Sequence, residues 1–288
     1  IVSGDIERPL LDGDSLVIED GKFAAMGRGL GGGAEPVNDA PGSTVIPGLI
    51  VSHCHPVSGD FTPRQRTMDF IESGLNGGLT TMISAGEVHL PGRPKDIVGL
   101  KALAIVAAKA YANLRPAGVK VHGGAPILEL GMVEADFAEM ARAGVKLVGE
   151  IGLGSVKRGK DAAPMVRWAK HHGMTVTIHT GGPSIAGSNP ISAEVVLEAD
   201  PHVVGHINGG TTSMSEREID SLVATRMALE IVHCGNGKTA LHTIARATDA
   251  RALGRVILGN DAPSGTGGVP LGILRVIAHL LSLRGAAP

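Results

Sequence analysis

The stretch Val45-Ile46-Pro47-Gly48-Leu49-Ile50-Val51-Ser52-His53-Cys54-His55 joins an apolar run to two imidazoles spaced two positions apart. A short apolar, β-branched run closing on polar residues reads as a buried strand, here 44–51. Side chains two apart on a strand share a face, with Cα atoms roughly 7 Å apart. His53 and His55 can therefore reach one ion while Cys54 points away, and paired imidazoles at a strand end suit a metal.

The same rhythm continues along the chain. Short apolar runs at 79–84, 119–122, 145–150, 175–179, 203–206, 227–233 and 255–258 each close on glycine or polar residues. Segments with helical periodicity fill the gaps, at 64–75, 96–113, 134–142, 161–172, 215–225, 238–252 and 270–283. The runs start roughly 25 to 40 residues apart, about one strand-plus-crossover unit. An open doubly wound sheet meets this α/β periodicity, but eight strands favour a closed (β/α)8 TIM barrel over 44–288. Residues 1–43 read differently. Runs 16–19 and 23–26 alternate around Asp20-Gly21, a hairpin signal, and a Gly-rich stretch follows. Two or three strands do not make a stable sheet alone, so this N-terminal β segment is expected to need partners.

Composition narrows the function. A formal charge of -2 with no basic stripe gives no footprint for nucleic acid. No apolar run is long enough to span a bilayer, and no membrane partner is expected. Two cysteines, Cys54 and Cys234, cannot build a disulfide framework, which fits a reducing, cytoplasmic compartment. The chain begins at Ile1 and stops soon after an apolar helical segment, and is read as part of a longer protein.

In a barrel, functional groups sit at the C-terminal strand ends. The fourth run closes on Glu150, the fifth on His179 and the sixth on His206, while Asp261 lies just past the eighth. With His53 and His55 these are the candidate metal ligands and proton-transfer group, a donor set that suits Zn²⁺ and Fe²⁺. His122 closes the third run and is a candidate donor to a substrate carbonyl. His233 closes the seventh with a weaker case. His171 and His172 suit a helix C-terminus, where positive charge is favourable. Arg64, Arg93 and Lys95 follow the first two strands and could bind a substrate carboxylate, though solvated surface charge is the default reading.

The run 45–50 leading into His53-Cys54-His55 resembles the opening signature of the amidohydrolase superfamily. Members carry a His pair after strand one, a bridging anion at strand four, one His after each of strands five and six, and an Asp after strand eight. A closer resemblance, to the enamidase family, rests on Arg64-Gln65-Arg66-Thr67-Met68-Asp69-Phe70, Pro91-Gly92-Arg93-Pro94-Lys95-Asp96 and the stretches 117–125, 149–154, 206–210 and 259–267. Similarity runs from about Pro47 to Leu274.

The resemblance implies two divalent metals, a zinc and iron pair. His53 and His55 would hold one, His179 and His206 the other, and Glu150 would be shared, with hydroxide between the metals cleaving a cyclic amide C–N bond. Asp261 would relay the proton to the departing ring nitrogen. It further implies 6-oxo-1,4,5,6-tetrahydronicotinate as the small-molecule substrate, 2-formylglutarate and ammonia as products, and a homotetramer. Alternatives are a cyclic amidohydrolase of the dihydropyrimidinase or dihydroorotase kind, or a non-catalytic barrel serving as a binding module.

Two departures stand out. Many members carry an Asp just ahead of the His pair, where this chain has Ser52, so a hydrogen bond behind the metal ligands is expected to differ. Many also bridge their metals with a carboxylated Lys. Lys146 shares a face with Glu150 but lies about 13 Å deeper along the strand, so Glu150 is better placed. The family also completes a β-sandwich beside the N-terminal segment with strands beyond the last barrel helix, so residues 1–43 are expected to belong to an incomplete sandwich.

Overall fold

A computed structural model describes residues 1–30, 32–33, 38–56, 67–87, 92–183, 188–209, 212–262 and 271–284. The chain divides into two compact units, Ile1–Gly48 and Leu49–Pro288. The break falls a few residues beyond the expected boundary at 43/44.

In the first unit, β1 (Ser15–Glu19) and β2 (Lys22–Gly27) pair antiparallel. The connecting Asp20 and Gly21 both have positive φ, 50° and 72°, the conformation that a two-residue hairpin turn requires. Asp and Gly tolerate it, which is why this hairpin is legible in the sequence. Backbone links hold the preceding segment, among them Val2 N–H to the Val45 carbonyl, Leu11 N–H to the Ile1 carbonyl and Asp14 N–H to the Gly27 carbonyl.

The second unit is the barrel. Its strands are β3 (Leu49–Cys54), β4 (Leu79–Ser84), β5 (Lys120–His122), β6 (Leu147–Ile151), β7 (Thr175–Ile178), β8 (Val203–Val204), β9 (Ala228–Val232) and β10 (Val256–Gly259). All neighbouring pairs are parallel, in the orders β3-β4-β5 and β6-β7-β8-β9-β10. Backbone hydrogen bonds close both seams. Asn260 and Asp261 donate to the His53 carbonyl and His55 donates to the Ala262 carbonyl, joining β10 to β3. Gly149 donates to Pro126 and joins the segment after β5 to β6, while Glu150 donates to Ala85 at 2.7 Å across the same end. The open-sheet alternative is thereby excluded.

Helices cover the outside: α1 (Thr67–Asn76), α2 (Ile97–Asn113), α3 (Glu134–Arg142), α4 (Gly159–His171), α5 (Ala193–Ala199), α6 (Glu216–Val223), α7 (Gly237–Asp249) and α8 (Gly272–Arg284). Side-chain caps start several of them. Asp96 accepts from Gly99 N–H, Asn236 from Lys238 and Thr239 N–H, and Ser215 forms a reciprocal capping box with Glu218. The sequence reading has no helix at 193–199, because seven residues hold less than two full turns of periodicity. The first strand starts five residues later than expected and reaches Cys54, since Pro47 lacks the N–H a ladder needs. Phe137, Met140, Ile151, Met174 and Ile178 anchor the main apolar core, fully buried between strands and helices.

Glycine decides how closely the β5–β6 seam can approach. A Cβ on Gly149 would lie 2.7 Å from the Ala85 carbonyl oxygen and 3.0 Å from that of Ala125, both backbone atoms. Gly149→Ala is expected to destabilise the barrel by about 1–3 kcal/mol through overpacking. Urea unfolding followed by far-ultraviolet circular dichroism checks it, and an unchanged midpoint would show that the seam has slack.

Candidate metal centre

Barrel closure gathers residues that lie up to 208 positions apart in the chain. His53 lies near the end of β3 and His55 follows it directly, Glu150 lies in β6, and His179 follows β7 directly. His206 follows the short β8, and Asp261 follows β10. All six are buried, Asp261 being the most accessible at 9%. Glu150 is central. Its Oε1 lies 2.7 Å from His206 Nε2 and 3.5 Å from His53 Nε2, and its Oε2 lies 3.9 Å from His55 Nε2. Asp261 Oδ1 lies 3.1 Å from His55 Nε2 and 3.5 Å from His53 Nε2. His179 Nδ1 stands 3.0 Å from His206 Nε2.

Three of the four rings have one nitrogen occupied away from this centre. His53 Nδ1 meets Glu230 Oε2 at 2.5 Å, His55 Nδ1 meets the Gly86 carbonyl at 3.0 Å, and His179 Nε2 meets the Gly182 carbonyl at 3.0 Å. Those acceptors hold a proton on the outward nitrogen, so that the inward nitrogen is the one a metal would take, which is how imidazole ligands are usually prepared for a metal. Two backbone positions are strained. His206 and Asp261 are non-glycine residues with φ of 31° and 51°, a conformation that clusters at functional sites.

Does this donor set fit divalent metals? His53 Nε2 is buried and makes no hydrogen bond, yet it faces carboxylate oxygens of both Glu150 and Asp261 at 3.5 Å. Two groups of three ligand atoms lie mutually within 4.8 Å, His53/His55/Asp261 and His53/Glu150/His206. Neutral imidazoles with carboxylates are the donors expected for Zn²⁺ or Fe²⁺. The residues fit.

Electrostatics in the metal-free state follow from crowding. Burial disfavours protonated His53, but the carboxylates of Glu230 and Glu150 outweigh it and push the ring up to about 10. Burial would raise Glu150 and Asp261. For Glu150 the imidazoles of His53 and His206 prevail, for Asp261 those of His55 and His53, and both stay well below the usual carboxylate range. Burial and the neighbouring His206 hold His179 down at about 4.

Other expected residues fall elsewhere. His122 ends β5, but Glu87 N–H bonds to Ala125 and Gly149 N–H to Pro126, so the level of the centre is reached three or four residues later. His122 is half-buried and kept below its ordinary pKa by desolvation and then by Lys120 and Lys146, with no contact to the six among the described residues. Lys146 itself is exposed, outside the centre. His233 turns outward against His279 of α8, ring centroids 5.6 Å apart. Arg93 is not a solvated surface charge: its Nη2 donates to Glu129 at 3.1 Å with both side chains about nine-tenths buried, while its Nη1 is buried and has no hydrogen-bond partner among the described residues. Lys95 is exposed, and Arg64 lies outside the described residues. His171 and His172 do end α4.

Sequence reasoning missed three polar groups here. Glu230 backs His53, while Cys234 donates its thiol to Asp261 Oδ2 at 3.2 Å. Burial raises Glu87, at the end of β4, to about 7. For Glu230 a signal existed: a single charge inside the apolar run Ala228-Leu229-Glu230-Ile231-Val232.

No family model matches the chain. It is 55% identical to an enamidase of Eubacterium barkeri over 292 residues, covering all of this chain and 76% of that protein. A crystal structure of enamidase, described as a new member of the amidohydrolase superfamily, superposes with a TM-score of 0.93 over 99% of this chain and 75% of that one, again at 55% identity. A β-aspartyl dipeptidase of Fervidobacterium islandicum matches at 0.55 and 17% identity over 84% of this chain and 70% of that chain, a likeness of fold alone.

The charges predict a pH dependence for the chelator-treated chain. His53 is raised above its unfolded value, so its stabilising effect is complete below about pH 6.5 and is lost as pH climbs toward 10. His179 is neutral in both states over that range and does not oppose the trend. The Tm of metal-free protein should therefore fall between pH 7 and pH 10, and a scan showing a flat or rising Tm would contradict the assigned charges.

Proposed function

This chain belongs to the amidohydrolase superfamily as a member of the enamidase family, and on that premise we propose that it opens a cyclic amide ring by hydrolysis, with 6-oxo-1,4,5,6-tetrahydronicotinate as substrate. The observation that carries the reading is the convergence of four imidazoles and two carboxylates at one barrel end, with His53 Nε2, which makes no hydrogen bond, facing both carboxylates. His53 and His55 would hold one divalent ion and His179 and His206 the other, and Glu150 would serve as their shared ligand. Zinc and iron are the finer assignment, which this donor set favours. Divalent ions held there would lower the pKa of water toward neutrality and polarise a carbonyl oxygen.

The protein's own groups supply the rest. Asp261 stays ionised at neutral pH, as a general base must, because the imidazoles of His55 and His53 favour its charged form. It accepts a proton from the attacking water and returns it to the ring nitrogen as the C–N bond breaks, since an amide nitrogen leaves poorly unless protonated. Addition of one water to the carbonyl carbon gives a carboxylate and an enamine. A second water replaces the enamine nitrogen, releasing ammonia and 2-formylglutarate. Burial of the ligands keeps bulk water from the charged groups and strengthens each interaction. The homotetramer and a cytoplasmic location follow from the resemblance and from cysteine usage. Among the described residues no helix is long and apolar enough to cross a membrane.

Two measurements test this. Purified chain should hold close to two metals per molecule, falling in His179→Ala samples shown to be folded by circular dichroism. Folded wild type that takes up no metal on reconstitution would overturn the reading. Asp261→Asn should lower kcat for ammonia release from 6-oxo-1,4,5,6-tetrahydronicotinate by about 10²–10⁴-fold, the usual worth of a positioned acid–base group.

A further inference from the structure

Glu230 lies in the middle of β9, flanked by Leu229 and Ile231, and is fully buried. A carboxylate is placed there only if its charge and lone pairs are matched. No Lys or Arg ion pair serves it among the described residues. Its contacts are Ser52 Oγ, which donates to Oε1 at 2.5 Å, the His53 ring, whose Nδ1 meets Oε2 at 2.5 Å, and the His206 backbone N–H, which donates to Oε2 at 3.4 Å. One carboxylate thus touches the two elements that carry ligands for the two halves of the centre, β3 and the turn after β8.

The contact to β3 has to pass the intervening strand. β9 pairs with β10, and the seam bonds join β10 to β3, so Glu230 reaches His53 across a strand. Gly259 of β10 makes room. A Cβ there would lie 2.5 Å from His53 Cβ and 3.0 Å from Val232 Cγ1. Ser52 then fixes the rotation of the carboxylate from the strand that bears His53, and the His206 amide is held where its own φ is 31°.

We infer that Glu230 is the positioning residue common to both halves of the centre. Its carboxylate holds a proton on His53 Nδ1, so that Nε2 is the nitrogen turned between Glu150 and Asp261 and available to a metal, and it braces the strained turn that presents His206. This rests on the metal-centre reading above. Outer partners of this kind typically alter metal affinity 10–100-fold when removed.

The test is chelator competition for Zn²⁺ with full-length wild type, Glu230→Gln and Ser52→Ala, each checked for native near-ultraviolet circular dichroism. Glu230→Gln should bind Zn²⁺ about 10–100-fold more weakly, and Ser52→Ala less severely weakly in the same direction. Proton NMR of the metal-free proteins gives a readout independent of metal. The low-field signal of the His53 Nδ1–H should be present in wild type and absent in Glu230→Gln. If Glu230→Gln does not fold, Ser52→Ala and the wild-type proton signal decide. Wild-type affinity in the folded variants with an unaltered proton signal would overturn the inference and leave the metal centre standing. Wild type that binds no Zn²⁺ would overturn both.

Discussion

An ionised carboxylate in a protein interior needs a partner, and three of them (Glu150, Glu230 and Asp261) meet the same group of imidazoles at the mouth of this barrel. The dependence is mutual. Burial would favour neutral Glu150 and Asp261 if the histidines were absent, and would keep His53 from taking a proton if the carboxylates were absent. The centre is therefore held as a unit, and the strands that carry its members are held with it. A divalent cation supplies the positive charge such a set favours, and allows the histidines to be neutral.

Everything that positions this unit depends on closing the sheet. The β10–β3 seam runs through the His53 carbonyl and the His55 N–H, so the bonds that shut the barrel also set the positions of these two histidines. On the other side, Glu150 N–H bonds to Ala85, one residue before the Gly86 carbonyl that orients His55. Glycines at 149 and 259 are what allow backbone and side chain to come this close at the two seams. The strained φ values at His206 and Asp261 are sustained by the same packing.

Much of this was legible in the chain. The eight strand positions emerge because each apolar run is bounded by glycine or polar residues, and the hairpin because Asp20-Gly21 tolerates positive φ. The six centre residues emerge because a barrel exposes its strand ends at one face, so polarity at a strand end carries position as well as chemistry. Glu150 over Lys146 followed from the rise of a strand alone. His122 stands apart from the six because its hydrogen-bonded ladder stops short, and the chain runs on through Gly123–Gly124 before reaching the level of the centre. Arg93 misled because a loop arginine reads as solvated until its buried partner Glu129, 36 residues away, is seen.

The sequence by itself determined the order of the strands and of every helix but α5, the barrel class and the kinds of polar group at each strand end, since these are written in local periodicity and polarity. Only the tertiary structure decided which nitrogen of each ring turns inward, that Glu230 stands behind His53, and that Cys234 touches Asp261. Those facts depend on the stagger between strands and on side chains reaching across β10. Local patterns do not encode stagger, because a pairing shift changes every such neighbour without changing a residue of the run.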